Sequence, residues 1–133
     1  MRFLYVFLIG LSLVSCKKEL DSAFVIEKIP VFDVEVPSNM LVNVDYTVSF
    51  KYALPNGCYS FHDYTYDIVS DSERIITAYA KVDQSDICTM QYAEKTFYFT
   101  FTPTERKTYI LKFWKGRDTA GNDQYDIYEL VVE

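Results

Sequence analysis

This chain is poor in the residues that most often carry chemistry: one histidine and one tryptophan stand among its 133 residues. With a single imidazole, His62 is the one available side chain of its kind for base catalysis, and it has no second histidine to share a metal ion. The sequence lacks a Gly-x-Ser-x-Gly elbow, a phosphate-cradling glycine loop and a His-Glu-x-x-His pair, so hydrolase, nucleotide and zinc-protease sites have no motif behind them. Four glycines and four prolines are too few for a low-complexity stalk. Cations are the minority, with 13 Lys and Arg against 19 Asp and Glu. The net charge of −6 repels nucleic acid and anionic headgroups, since binding either depends on lysine and arginine neutralising phosphates. No apolar run approaches the roughly 20 residues that a membrane-spanning helix needs.

The longest apolar run opens the chain. Arg2 gives a short positive start, and Phe3 to Val14 are apolar apart from Gly10 and Ser12. Leu13-Val14-Ser15-Cys16 follows and resembles the lipobox of a bacterial lipoprotein, in which cleavage follows the serine and the cysteine is lipidated. The resemblance implies a signal peptide over residues 1–15, lipidation at Cys16 and attachment to the membrane through that N-terminal lipid. It places the protein in the cell envelope, at the outer membrane of a Gram-negative bacterium. Residues 16–28 then read as the lipidated cysteine and a polar tether, interrupted by Phe24-Val25-Ile26. Within it, Cys16-Lys17-Lys18-Glu19-Leu20-Asp21 is similar to the lysine-plus-acid sequence behind the cysteine of surface-exposed lipoproteins of the Bacteroidota.

With Cys16 acylated, Cys58 and Cys88 remain. An even pair in an exported chain reads as a disulfide, because the destination is oxidising. The rival is a metal site built from Cys58, His62 and Cys88, which needs a fourth ligand and is disfavoured by the single histidine.

Residues 29–133 read as one domain. Twelve tyrosines and ten phenylalanines, with many valines and threonines, favour strands, because such side chains pack on a pleated, half-buried surface. Phe32, Val34 and Val36 alternate with Val31, Asp33 and Glu35, giving a first strand that Pro37-Ser38-Asn39 ends. Met40, Val42, Val44, Tyr46, Val48, Phe50 and Tyr52 hold one parity over thirteen residues. Leu54-Pro55-Asn56-Gly57 is a turn. The next strand changes phase: Tyr59 and Phe61 are odd, whereas Tyr64, Tyr66 and Ile68 are even, so a bulge is expected near His62-Asp63. Further strands are expected over 75–82, 97–101, 109–114 and 125–132. Seven strands with these spacings suggest an all-β, immunoglobulin-like antiparallel β-sandwich.

Leu54-Pro55-Asn56-Gly57-Cys58, Ala78-Tyr79-Ala80-Lys81-Val82-Asp83, Phe99-Thr100-Phe101-Thr102-Pro103 and Tyr109-Ile110-Leu111-Lys112-Phe113-Trp114 resemble segments of small lipoproteins of the Bacteroidota. That resemblance implies an Ig-like lipoprotein domain and carries over no catalytic residues. Antibody-type domains set a tryptophan between two sheet-bridging cysteines. Here Trp114 follows both cysteines, so the disulfide is expected to clip strand ends together.

His62 and Asp63 are neighbours in a strand and point to opposite faces, which opposes a triad with Ser60. Asp118 to Asp123 is rich in oxygens, yet Asp, Gly and Asn are also what a hairpin turn requires. Asp63, Asp67, Asp71, Asp83 and Asp86 have no calcium-loop spacing. Trp114 falls on the face opposite Tyr109, Leu111 and Phe113, together with Ile110 and Lys112; there it is either an exposed contact ring, with Tyr98 on an adjacent strand, or the cover of a sheet edge or a second small cluster. Ile110, Lys112, Trp114 and Tyr98 are therefore the candidate binding residues. The expected function is a lipid-anchored binding or structural module of the envelope, without catalysis, cofactor or nucleic-acid partner, contacting an envelope protein or a glycan. The alternatives are an accessory or inhibitor subunit of an envelope protein, or a small hydrolase.

Overall fold

The computed structural model describes residues 23–84 and 87–133. The expected leader, Cys16 and the expected tether through residue 22 lie outside those residues. Eight strands follow in order: β1 (Phe24–Ile29), β2 (Val31–Glu35), β3 (Tyr46–Leu54), β4 (Tyr59–Ile68), β5 (Glu73–Asp83), β6 (Ala93–Phe101), β7 (Thr108–Arg117) and β8 (Asp123–Val131). No helix occurs among the described residues, so none there could cross a membrane.

The strands form two sheets. β2, β3 and β6 make one, with β3 in the centre. In the other, β5 is central. Its one edge carries β4, and its opposite edge is shared, with β7 against residues 73–76 and β1 against residues 78–83. β8 completes this five-stranded sheet beside β7. The β5–β7 ladder is parallel, where only antiparallel pairs were expected from the sequence; every other strand pair is antiparallel.

Alternation explains which side chains meet between the sheets. Val48, Phe50, Tyr52 and Leu54 from β3, with Phe99 and Phe101 from β6, face Ile76, Ala78 and Ala80 from β5 and Leu111 and Phe113 from β7. The Phe50 and Phe113 rings meet across the gap, 6.2 Å between centroids. The expected bulge is present: β4 shifts register against β5 between Phe61 and Asp63. That slip lets Phe61, Tyr64 and Tyr66 all pack on the core despite their mixed parity.

Three readings of the sequence are corrected. The last residues of the expected tether belong to the fold, because β1 adds to the edge of β5 from Phe24↔Asp83 to Ile29↔Ala78. Residues 40–44 alternate like a strand but form a turn, with Asn39 and Asn43 at φ 54° and 61°. The Asn43 amide donates to the Pro103 carbonyl at 2.7 Å, which holds that turn against the loop after β6. In β2 the parity breaks at Asp33, φ 47°, so Val31 and Val34 both reach the core.

Cys58 and Cys88 form a disulfide, Cα–Cα 5.3 Å. It joins the β3–β4 turn to the segment after β5, at one end of the sandwich. Two backbone bonds run beside it, from the Gly57 amide to the Thr89 carbonyl and from the Asp83 amide to the Cys58 carbonyl, each 2.9 Å. Gly57 is required by this close approach, since a Cβ there would collide with the Thr89 hydroxyl. Replacing both cysteines by alanine is expected to lower unfolding stability by about 3–4 kcal/mol, from the closure entropy of a loop of about 30 residues. Urea denaturation checks this, and an unchanged midpoint would mean that the hydrogen bonds alone hold the end.

Candidate functional site

Outward from the core, β7 presents Ile110, Lys112 and Trp114 on the exterior of the five-stranded sheet. Across the ladders, Lys112 lies between Ile75 of β5 and Ile127 of β8. Ile75 and Ile110 are half-buried, whereas Ile127 is 60% exposed. The Lys112 ammonium is neutralised by Glu73, 2.7 Å away, and both groups are about one-quarter exposed. The result is a group of isoleucines around the Lys112–Glu73 ion pair, with Glu129 opposite Ile110 at its margin.

Trp114 sits at one edge of this patch and is covered, which decides between the two readings of the sequence against an exposed contact ring. It retains 6% of its surface. Its parity does place it outside the main core, and what covers it comes from distant parts of the chain. The Lys28 ammonium of β1 lies 5.4 Å from its ring centroid. Its indole Nε1–H donates to Asp123 Oδ1 at 3.0 Å, and the Arg117 Nε–H donates to the same oxygen at 3.1 Å. β7 shifts register against β8 between Trp114 and Gly116, and Gly116 adopts φ 117°. Trp114 is thus a structural member of this face.

The bonds from Trp114 and Arg117, in that order of weight, hold the Asp123 carboxyl below the ordinary aspartate value. A depressed carboxylate pKa contributes stability that is present above the unfolded value of about 3.9 and is lost as pH falls through the lower folded value. Trp114 is the one tryptophan, so its fluorescence reports on this bond. A fluorescence transition below about pH 4 that disappears in Asp123→Asn is expected; a transition unchanged in that variant would assign it to other carboxylates.

Tyr98 is exposed, at 64%. It lies on the other sheet, opposite Ser49 in the β3–β6 ladder, so the four candidate residues do not form one site. Its surroundings are Thr47, Thr96 and Thr100 on the same face, and Lys51, paired with Asp33 at 3.3 Å.

His62 is exposed in the β4 bulge. Ser60 directs its hydroxyl to the Lys81 carbonyl at 3.4 Å. Two open depressions, about 410 and 240 Å³, lie near the disulfide, and Ser60 lines the larger one, but His62 lines neither. Both Cys58 and Cys88 sulfurs are committed to their bridge, which removes them as metal ligands. No group of three or more His, Cys, Asp or Glu side chains suited to a metal occurs among the described residues.

The oxygens at residues 118–123 serve the hairpin. Asp118 Oδ1 accepts from the Ala120 and Asn122 amides, both at 2.9 Å, and Gly121 takes φ 84°. Those bonds, Asn122 foremost, lower the Asp118 pKa.

Two features of the patch were beyond the sequence. Ile75 and Ile127 join Ile110 only through the parallel β5–β7 ladder and the β7–β8 pairing, and no local pattern announces a parallel neighbour. Compared with protein-family models, with curated proteins and with solved structures, the chain finds no match.

Proposed function

We propose that this protein is a lipid-anchored module of the cell envelope that binds a protein partner through the outer face of its five-stranded sheet, without transforming it. The observation that carries the reading is the patch of Ile75, Ile110 and Ile127 around the Lys112–Glu73 pair. A solvent-facing sheet surface ordinarily alternates to polar residues. Here three isoleucines are gathered on it instead, and the central cation already has its partner. The leader and the Leu13-to-Cys16 lipobox support anchoring, as does the resemblance to small Ig-like lipoproteins of the Bacteroidota.

A photo-crosslinking residue placed at position 127 tests the site in intact envelopes. Ile127 is exposed, so its replacement leaves the fold alone. A discrete protein adduct at 127, with none at position 98, is the expected result. Adducts at 98 alone would move the site to the three-stranded sheet, where a ring rimmed by hydroxyls suits a glycan. Adducts at neither position, or turnover that disappears in His62→Ala, would reject the binding reading.

A further inference from the structure

The disulfide end of the sandwich carries a second apolar surface, unlike the first in shape. Ile87-Cys88-Thr89-Met90-Gln91-Tyr92 contains no charged residue. Ile87 is 87% exposed, Met90 95% and Tyr92 60%. This is a projecting tip and not a sheet face. The disulfide and the Gly57–Thr89 backbone bond tie its base to the β3–β4 turn. Exposed apolar side chains of this size are costly in water unless something covers them.

The chain enters the fold at the same end. The Ala23 carbonyl accepts from the Gln84 amide at 2.8 Å, and Phe24 pairs with Asp83. From Cys16 to Ala23 the backbone can span at most about 25 Å, at roughly 3.3–3.6 Å per residue. The eleven residues of β5 extend about 35 Å from this end to the opposite one. A lipid on Cys16 therefore holds the disulfide end towards the bilayer, and the tether is too short to let an upright domain present its far end there.

We propose that the Ile87–Tyr92 tip is a membrane-contacting loop, with Ile87 and Met90 entering the acyl boundary and Tyr92 at headgroup level. It would act as a second attachment beside the lipid, and would orient the Ile75–Ile110–Ile127 face across the membrane surface. Tyrosine suits the interface because its ring is apolar and its hydroxyl polar; here that hydroxyl donates to Glu94 Oε1 at 2.9 Å. A neutral tip needs no anionic lipid, in keeping with the acidic chain. This inference rests on the lipid-anchor reading.

The test uses phosphatidylcholine vesicles with brominated acyl chains, which quench a nearby tryptophan. Met90→Trp and, at the opposite end, Leu41→Trp are compared with the parent protein, whose Trp114 gives a constant background. Mass spectrometry first reports whether native Cys16 is acylated, which judges the anchor alone. If it is not, its thiol, the one outside the disulfide, takes a maleimide phospholipid, so the tip is tested in either case. The expected result is at least about twofold stronger quenching of the added signal in Met90→Trp, with none in Leu41→Trp. Equal quenching of both, quenching of Leu41→Trp alone, or none at either position would overturn the proposal. Absence at both would leave the tip as a contact for protein.

Discussion

Trp114→Ala is expected to lower the unfolding free energy by about 3–5 kcal/mol, the range for truncating a buried tryptophan or phenylalanine. The residue sits outside the main core, so its position in the sequence suggests a mild effect. Three contacts argue otherwise: its burial to 6% exposure, the Lys28 ammonium over its ring and the indole bond to Asp123. Removing the ring would open a cavity where β1, β7 and β8 converge and would leave Asp123 with Arg117 alone. Trp114→Phe keeps one ring's apolar contact but loses the N–H and the indole's second ring, so it should cost less than the alanine variant and at least about 1–2 kcal/mol. Chemical denaturation of both variants, beside Asp123→Ala, which removes the acceptor and keeps the ring, compares packing with hydrogen bonding. A Trp114→Ala protein as stable as the parent would show that the ring is held open to solvent.

Phe50→Ala is expected to be comparably severe, at about 3–5 kcal/mol, with a fall in Tm of about 15 °C or more. Phe50 has no exposed surface. Its ring lies 5.4 Å from Phe97 and 6.5 Å from Phe99 within its own sheet, and 6.2 Å from Phe113 in the other. Phe113 in turn meets Tyr128 edge-on at 5.8 Å, so the ring contacts run from β6 to β8. Such pairs add to simple area burial. Deleting the ring where the two sheets touch leaves a void that neither can close without tilting. Phe50→Leu, which refills much of the volume, should recover part of the loss. A calorimetric Tm within a few degrees of the parent for Phe50→Ala would contradict this account of the core.

The two truncations test different kinds of knowledge. The parity of Val48, Phe50 and Tyr52 is enough to mark Phe50 as a core residue, since a period of two assigns every side chain on a regular strand to one face. The same rule puts Trp114 on the outer face, and that too is correct. Exposure is a separate matter. The rule identifies a face but does not report what else lies upon it, and Lys28 is 86 positions earlier in the chain.

By itself the sequence determined the all-β class, the Cys58–Cys88 pairing, the bulge at Phe61–Asp63 and the turn at Asp118–Asn122. Each follows from a local or countable property: alternation, cysteine parity, a phase slip, or side chains that bond their own backbone. Only the tertiary structure decided that Phe24–Ile29 is a strand, that residues 40–44 are not one, that β5 and β7 run parallel, and that Trp114 is covered. β1 is exposed on both faces along most of its length, so it has no hydrophobic pattern, and its backbone bonds to β5 make it a strand. The alternation at 40–44 gives way to left-handed backbone at Asn39 and Asn43, where a hydrogen bond to Pro103 fixes the turn. Side-chain periodicity records which face of a segment is dry. It is blind to which strand, loop or distant cation lies beside that segment, because those neighbours are chosen by the closure of the whole sandwich.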